Sequence, residues 1–189
     1  MRIVIIGWGS VIWDPRDLPR EGIWQSEGPR LPIEFSRVSR GRRLTGIIDY
    51  EHGTDVETKY VISPRVDIDD AIEDLRVRED TVKKHIGFVD NKHNIASDTA
   101  HSNDRRTCET VKRWLAKTDF LGAVWTALRS NFREETGRDF SVEHGVEYIR
   151  NLPTTARQQA LKYIRNAPTE VDTPLRRKLL ELRMLEKCS

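Results

Sequence analysis

The sequence predicts an α+β fold: a small, mostly antiparallel, β-barrel-like sheet with packed helices, followed by a helical C-terminal part. Three observations lead there. Ile3-Val4-Ile5-Ile6 is an uninterrupted aliphatic run that suits a strand buried on both faces. Short apolar runs broken by turn residues such as His52-Gly53-Thr54 come next, and they favour antiparallel pairing. From about residue 107 onward apolar residues recur at helical spacing. The boundary is therefore expected between 1–90, a sheet core with one helix, and 91–189, a helical extension packed on it as one unit.

The first strand runs into Gly7-Trp8-Gly9-Ser10-Val11-Ile12-Trp13-Asp14-Pro15. Gly7 and Gly9 permit backbone conformations closed to other residues, so the loop is either a tight turn or a cradle of N–H groups aimed at one small acceptor. It is not a dinucleotide-binding loop. That fingerprint needs a third glycine opening a helix, where this chain has Ile12 and then Trp13-Asp14-Pro15. Residues 14–32 read as irregular connection with one apolar anchor, Trp24. Strands are expected around Leu31–Val38, Leu44–Tyr50 and Lys59–Ile62.

Helical periodicity begins at Asp67, with acidic residues suited to the positive end of the helix dipole and Ile68, Ile72 and Leu75 on one stripe. Four residues past Leu75 the stripe reaches Glu79. Either its carboxyl is desolvated there at a helix C-terminus, a setting suited to proton transfer, or the stripe stops at Leu75 and Glu79 lies in solvent. Another strand is expected around Ile86–Val89, and 91–107 as a polar loop holding His93 and His101. Helices then follow over Thr107–Lys117, Leu121–Glu135, from the cap Ser141 toward Ile149, Thr155–Arg165 and Pro174–Glu186. Tyr148-Ile149-Arg150-Asn151 recurs as Tyr163-Ile164-Arg165-Asn166, each time with Pro two residues after the Asn, a repeated helix stop.

Lys+Arg 32 against Asp+Glu 30 leaves a net charge of +2, too balanced for nucleic-acid binding to follow from charge. The basic runs Arg37–Arg43 and Arg176-Arg177-Lys178 read as solvated surface or as anion-handling groups within a site. Cys108 and Cys188 make no disulfide framework, and no pairing of them with the five histidines has a metal-ligand spacing, so no metal is expected. Without a membrane-length apolar run or a cleavage-site pattern, the chain is expected to be soluble, unprocessed and cytoplasmic.

Taken whole, Gly7-Trp8-Gly9-Ser10-Val11-Ile12-Trp13-x-Pro15 resembles the Gly-Tyr-Gly-Ser-Leu-Ile-Trp-x-Pro opening of the ChaC branch of the γ-glutamylcyclotransferases, with Trp8 for Tyr and Val11 for Leu. Ala71-Ile72-Glu73-Asp74-Leu75-Arg76-Val77-Arg78-Glu79 is similar to that family's Ala-Leu-x-x-Leu-x-x-Arg-Glu helix. Ser39-Arg40-Gly41 matches a Ser-x-x-Arg-Gly segment only loosely, and the resemblance ends near Asn91. It implies a cyclisation of a γ-glutamyl peptide such as glutathione, or of a γ-glutamyl amine, releasing 5-oxoproline without a cofactor. Glu79 would be the acid/base residue, and Gly7, Trp8, Gly9, Ser10 and Val11 would bind substrate. The alternatives are a different γ-glutamylated metabolite as substrate, or a non-catalytic binding protein on the same fold whose helical part serves a protein partner. No membrane or nucleic-acid partner is expected.

Overall fold

A computed structural model describes residues 2–97 and 102–186, so Cys188 and His101 lie outside the described residues. The fold is α+β, with two open sheets and six helices among those residues and no closed barrel. Two compact units divide it. One comprises residues up to Leu31 together with Glu57–Leu128, the other Pro32–Val56 with residues from Arg129 on. Each unit thus draws on both halves of the sequence.

The first unit is built on a sheet of strands β1 (Ile3–Gly7), β2 (Glu21–Gln25), β6 (Lys59–Ser63), β7 (Ile86–Asp90), β8 (Ile95–Ala96) and β9 (Gly122–Thr126) in the order β2-β6-β1-β9-β7-β8. Every pairing is antiparallel except β1 with β9. As its aliphatic run predicts, β1 is buried along its whole length. Its other neighbour is the main departure from expectation. Leu121–Glu135 has the spacing of a helix, yet Gly122–Thr126 is a strand lying between β1 and β7. A central strand is apolar on both faces, so Ala123, Val124 and Trp125 are buried consecutively, and that imitates a helical stripe. The 14–32 segment is also not wholly irregular, since it holds β2.

Helix α1 (Ile68–Glu79) packs on this sheet. Asp67 caps it by accepting from the Asp69 N–H at 2.8 Å. Ile68, Ala71, Ile72 and Leu75 form a core with Ile3, Ile5, Val61 and Val124. Burying Ile72 and Leu75 is worth about 1.5–3 kcal/mol each relative to exposure. Helix α2 (Ser102–Leu115) occupies part of the stretch read as a polar loop. His93 is held against a buried acid, its Nδ1 2.6 Å from Asp90 Oδ2.

The second unit holds most of a three-stranded sheet, β4 (Leu44–Ile48), β3 (Arg30–Val38) and β5 (Thr54–Glu57), in the order β4-β3-β5. Its helices are α3 (Phe132–Thr136), α4 (Val142–Asn151), α5 (Thr154–Asn166) and α6 (Pro174–Glu181). Ser141 caps α4, Pro174 opens α6, and α4 and α5 stop at the two repeated Asn positions.

Glu34 is fully buried in this unit. It accepts the Leu175 N–H at the start of α6 (3.1 Å) and the Phe35 N–H (2.6 Å). Burial raises its carboxyl above the ordinary 4.5, with Asp49 adding to the effect, while hydrogen bonds from Thr173, Phe35 and Leu175 partly oppose it. The folded chain therefore holds this proton more tightly than the unfolded chain. The associated stability is present below pH 4.5 and is lost as pH rises through the raised folded value. Urea unfolding of wild type and Glu34→Gln across that range should show the stability of wild type relative to the variant falling as pH increases. A pH-independent difference would contradict the assignment.

Candidate functional site

The loop after β1 and the end of α1 meet in the first unit through one side chain that sequence reasoning did not single out, Arg78. Three residues past Leu75, it extends the same stripe that reaches Glu79, and its side chain is only 4% exposed. A buried guanidinium needs acceptors. Arg78 Nη1 donates to Glu79 Oε1, and Nη2 donates to Ser10 Oγ (3.2 Å) and to the Asp14 carbonyl (2.6 Å). In return, Arg16 Nη1 donates to the Arg78 carbonyl at 3.1 Å. Arg78 Nε is buried and has no partner among the described residues.

Glu79 is the last residue of α1. Asp80 follows with φ 48°, and the Asp80 and Thr81 N–H groups donate to the Val77 and Arg76 carbonyls, which closes the helix at that point. The Glu79 side chain is 17% exposed, so it is neither free in solvent nor sealed in the core. Considering only apolar neighbours on the stripe leaves out the cation paired with it.

The loop is a double turn, with the Ile12 N–H on the Gly9 carbonyl (3.0 Å) and the Asp14 N–H on the Ser10 carbonyl (2.8 Å). Among the described residues no acceptor takes the N–H of Gly9, Ser10 or Val11. Neighbouring backbone donors can serve a carboxylate or an oxyanion where they converge on it. The side chains of Trp8 and Val11 are buried, each residue being 5% exposed, and Val11 belongs to the core around α1.

Conformational freedom is not what selects glycine here. Among the described residues the glycines with positive φ are Gly22 and Gly137. Gly7 is selected by space, because a Cβ there would lie 2.7 Å from Val11 Cγ1 and 3.0 Å from the Trp24 ring. Trp24, the expected anchor, packs against the core, and its Nε1 is buried without a partner among the described residues.

Among the described residues no three His, Cys, Asp or Glu side chains are grouped as a metal site, and no helix is long and apolar enough to cross a membrane. No protein-family model matches the chain, and no curated protein matches it.

Gly7→Ala should overpack the contact between the loop and the core. The expected cost is about 1–3 kcal/mol, read as a lower urea midpoint. A midpoint equal to wild type would mean that the loop is not pinned by Val11 and Trp24.

Proposed function

We propose that the protein is a cofactor-free γ-glutamyl cyclotransferase, acting on a γ-glutamyl peptide or amine and releasing 5-oxoproline. One observation supports this above the rest: a single guanidinium holds both the Glu79 carboxylate and the Ser10 hydroxyl, next to three N–H groups that lack acceptors.

The reaction is intramolecular. The α-ammonium of the γ-glutamyl group gives a proton to Glu79, and the free amine attacks the γ-carbonyl carbon, forming the ring C–N bond and an oxyanion. The Gly9, Ser10 and Val11 amides stabilise that negative charge. The original C–N bond then breaks as Glu79 returns that proton to the leaving nitrogen, and the second proton of the ring nitrogen passes to the released amine, which departs as an ammonium. Nucleophile and electrophile belong to one molecule, so holding a folded conformer replaces the entropic work of a bimolecular encounter. Arg78 is a positioning residue in this scheme, because it fixes the carboxylate relative to the loop.

A second reading, a ligand-binding protein without turnover, is favoured by the same ion pair, since Arg78 already engages one of the two oxygens of Glu79. The free oxygen decides between the two readings. Purified protein should release 5-oxoproline from at least one member of a panel of γ-glutamyl peptides and amines that includes glutathione. Glu79→Gln should lower that rate about 10²–10⁴-fold, the usual worth of a general acid/base. Because Gln leaves Arg78 without its counter-charge, the variant should also be less stable by about 1–3 kcal/mol. Substrate should still raise its thermal midpoint. Full turnover by Glu79→Gln, or no release from any panel member, would remove the cyclisation reading.

A further inference from the structure

The second unit carries a basic cleft that the proposed cyclisation does not use. It is built around the β3–β4 hairpin, whose tip is Ser39-Arg40-Gly41-Arg42-Arg43. The Ser39 N–H donates to the Arg43 carbonyl (2.9 Å), the Arg42 N–H to the Ser39 carbonyl (2.8 Å), and the Arg43 N–H to Ser39 Oγ (3.2 Å). Arg42 sits at φ 57°, a left-handed conformation uncommon for a non-glycine residue. Tyr148 of α4 bonds this residue, its Oη donating to the Arg42 carbonyl at 3.2 Å. Asn131 grips the base of the hairpin, accepting from the Val38 N–H (2.8 Å) and donating to the Val38 carbonyl (3.0 Å).

These contacts shape a cleft of about 550 Å³ whose wall includes Arg37, Arg40, Arg42, Glu135, Asn151 and Leu152. Three arginines and one glutamate lie on that wall. Arg37 is half-buried, one edge is committed to the Arg129 carbonyl at 2.6 Å, and burial lowers its pKa against the opposing pull of Glu135 and Glu134. Among the described residues no carboxylate pairs with the Arg42 guanidinium. Arginines gathered around a concavity of small-molecule size differ from arginines spread on a convex face, because several guanidinium groups can engage one ligand there, and Arg37 is already held by its bond to the Arg129 carbonyl.

We propose that this cleft binds a compact polyanion, a small molecule carrying phosphate or several carboxylate groups, clamped by Arg37, Arg40 and Arg42. Glu135 sets the opposing charge and so limits affinity.

The test is thermal unfolding of the full chain at low ionic strength, titrated with pyrophosphate or with citrate and compared with sodium chloride at matched ionic strength. At least one of the two anions should give a saturable rise in midpoint that the chloride control lacks, and which one does so distinguishes phosphate from carboxylate recognition. Arg40→Ala/Arg42→Ala, both exposed positions, should weaken the apparent affinity by about tenfold or more, which corresponds to at least about 1.4 kcal/mol. Glu135→Gln should tighten it, a gain that a purely structural role for these residues would not produce. No saturable shift, a shift unchanged in the double variant, or weaker binding by Glu135→Gln would overturn the proposal. So would an affinity for a single-stranded oligonucleotide that exceeds that of both small anions and is lost in the double variant, since the cleft would then be part of a polyanion surface. The shift should persist in Glu79→Gln, and because it reads binding rather than turnover, its absence would leave the cyclisation reading standing.

Discussion

A guanidinium that is almost wholly removed from water has to be given acceptors by the rest of the fold, and Arg78 obtains them from two places far apart in sequence. Glu79 is its neighbour on α1, whereas Ser10 and Asp14 belong to the loop after β1. Satisfying one buried charge therefore ties a helix C-terminus to the loop after β1. Breaking such an arrangement by removing one partner costs far more than the net worth of the contact, because the remaining charge stays buried. This asymmetry makes the junction well defined, and a defined junction is what an intramolecular reaction with one shared acid/base needs.

The sheet supplies the other half of that definition. Strand β1 is flanked by β6 and β9, and α1 lies across the resulting apolar face with Ile72 and Leu75 almost fully buried. Neither the strand end that launches the loop nor the helix end that carries Glu79 can move without disturbing that core. Gly7 belongs to the same logic, since the absence of a Cβ lets Trp24 and Val11 close over the start of the loop. Rigid elements position the candidate donors and the carboxylate, and the polar groups between them are held by Arg78.

What could be read from the sequence followed from local physics. The buried β1, the start of a helix at Asp67, the α1 stripe, the Ser141 cap and the repeated Asn-x-Pro stops are set by residues within one or two turns of each other, and all appear where that reasoning puts them. Strand β9 was hidden because burial from two sides erases the alternation that distinguishes a strand from a helix. Ser10 and Glu79, singled out by resemblance and spacing, both bond Arg78, whereas the burial of the Trp8 and Val11 side chains was not anticipated. Arg78 was not anticipated either, although its position on the stripe was visible. A charged residue on an apolar face is ordinarily assigned to solvent, and its acceptor at Asp14, 64 positions away, has no signature in the sequence. Gly7 was legible as a requirement for glycine and misread in kind, because sequence does not separate a need for positive φ from a need for space.

The dependence of the junction on Arg78 is most directly measured by a double-mutant cycle in urea unfolding, using Arg78→Met, Glu79→Gln and the double variant. Met keeps much of the apolar stem and removes the charge, so the cycle isolates the pair more cleanly than alanine would. If Arg78 and Glu79 are partners in one desolvated junction, the coupling should exceed about 1 kcal/mol, and the double variant should be more stable than the sum of the two losses predicts. Additive losses, with coupling near zero, would show that the guanidinium and the carboxylate stand independently and would contradict the account.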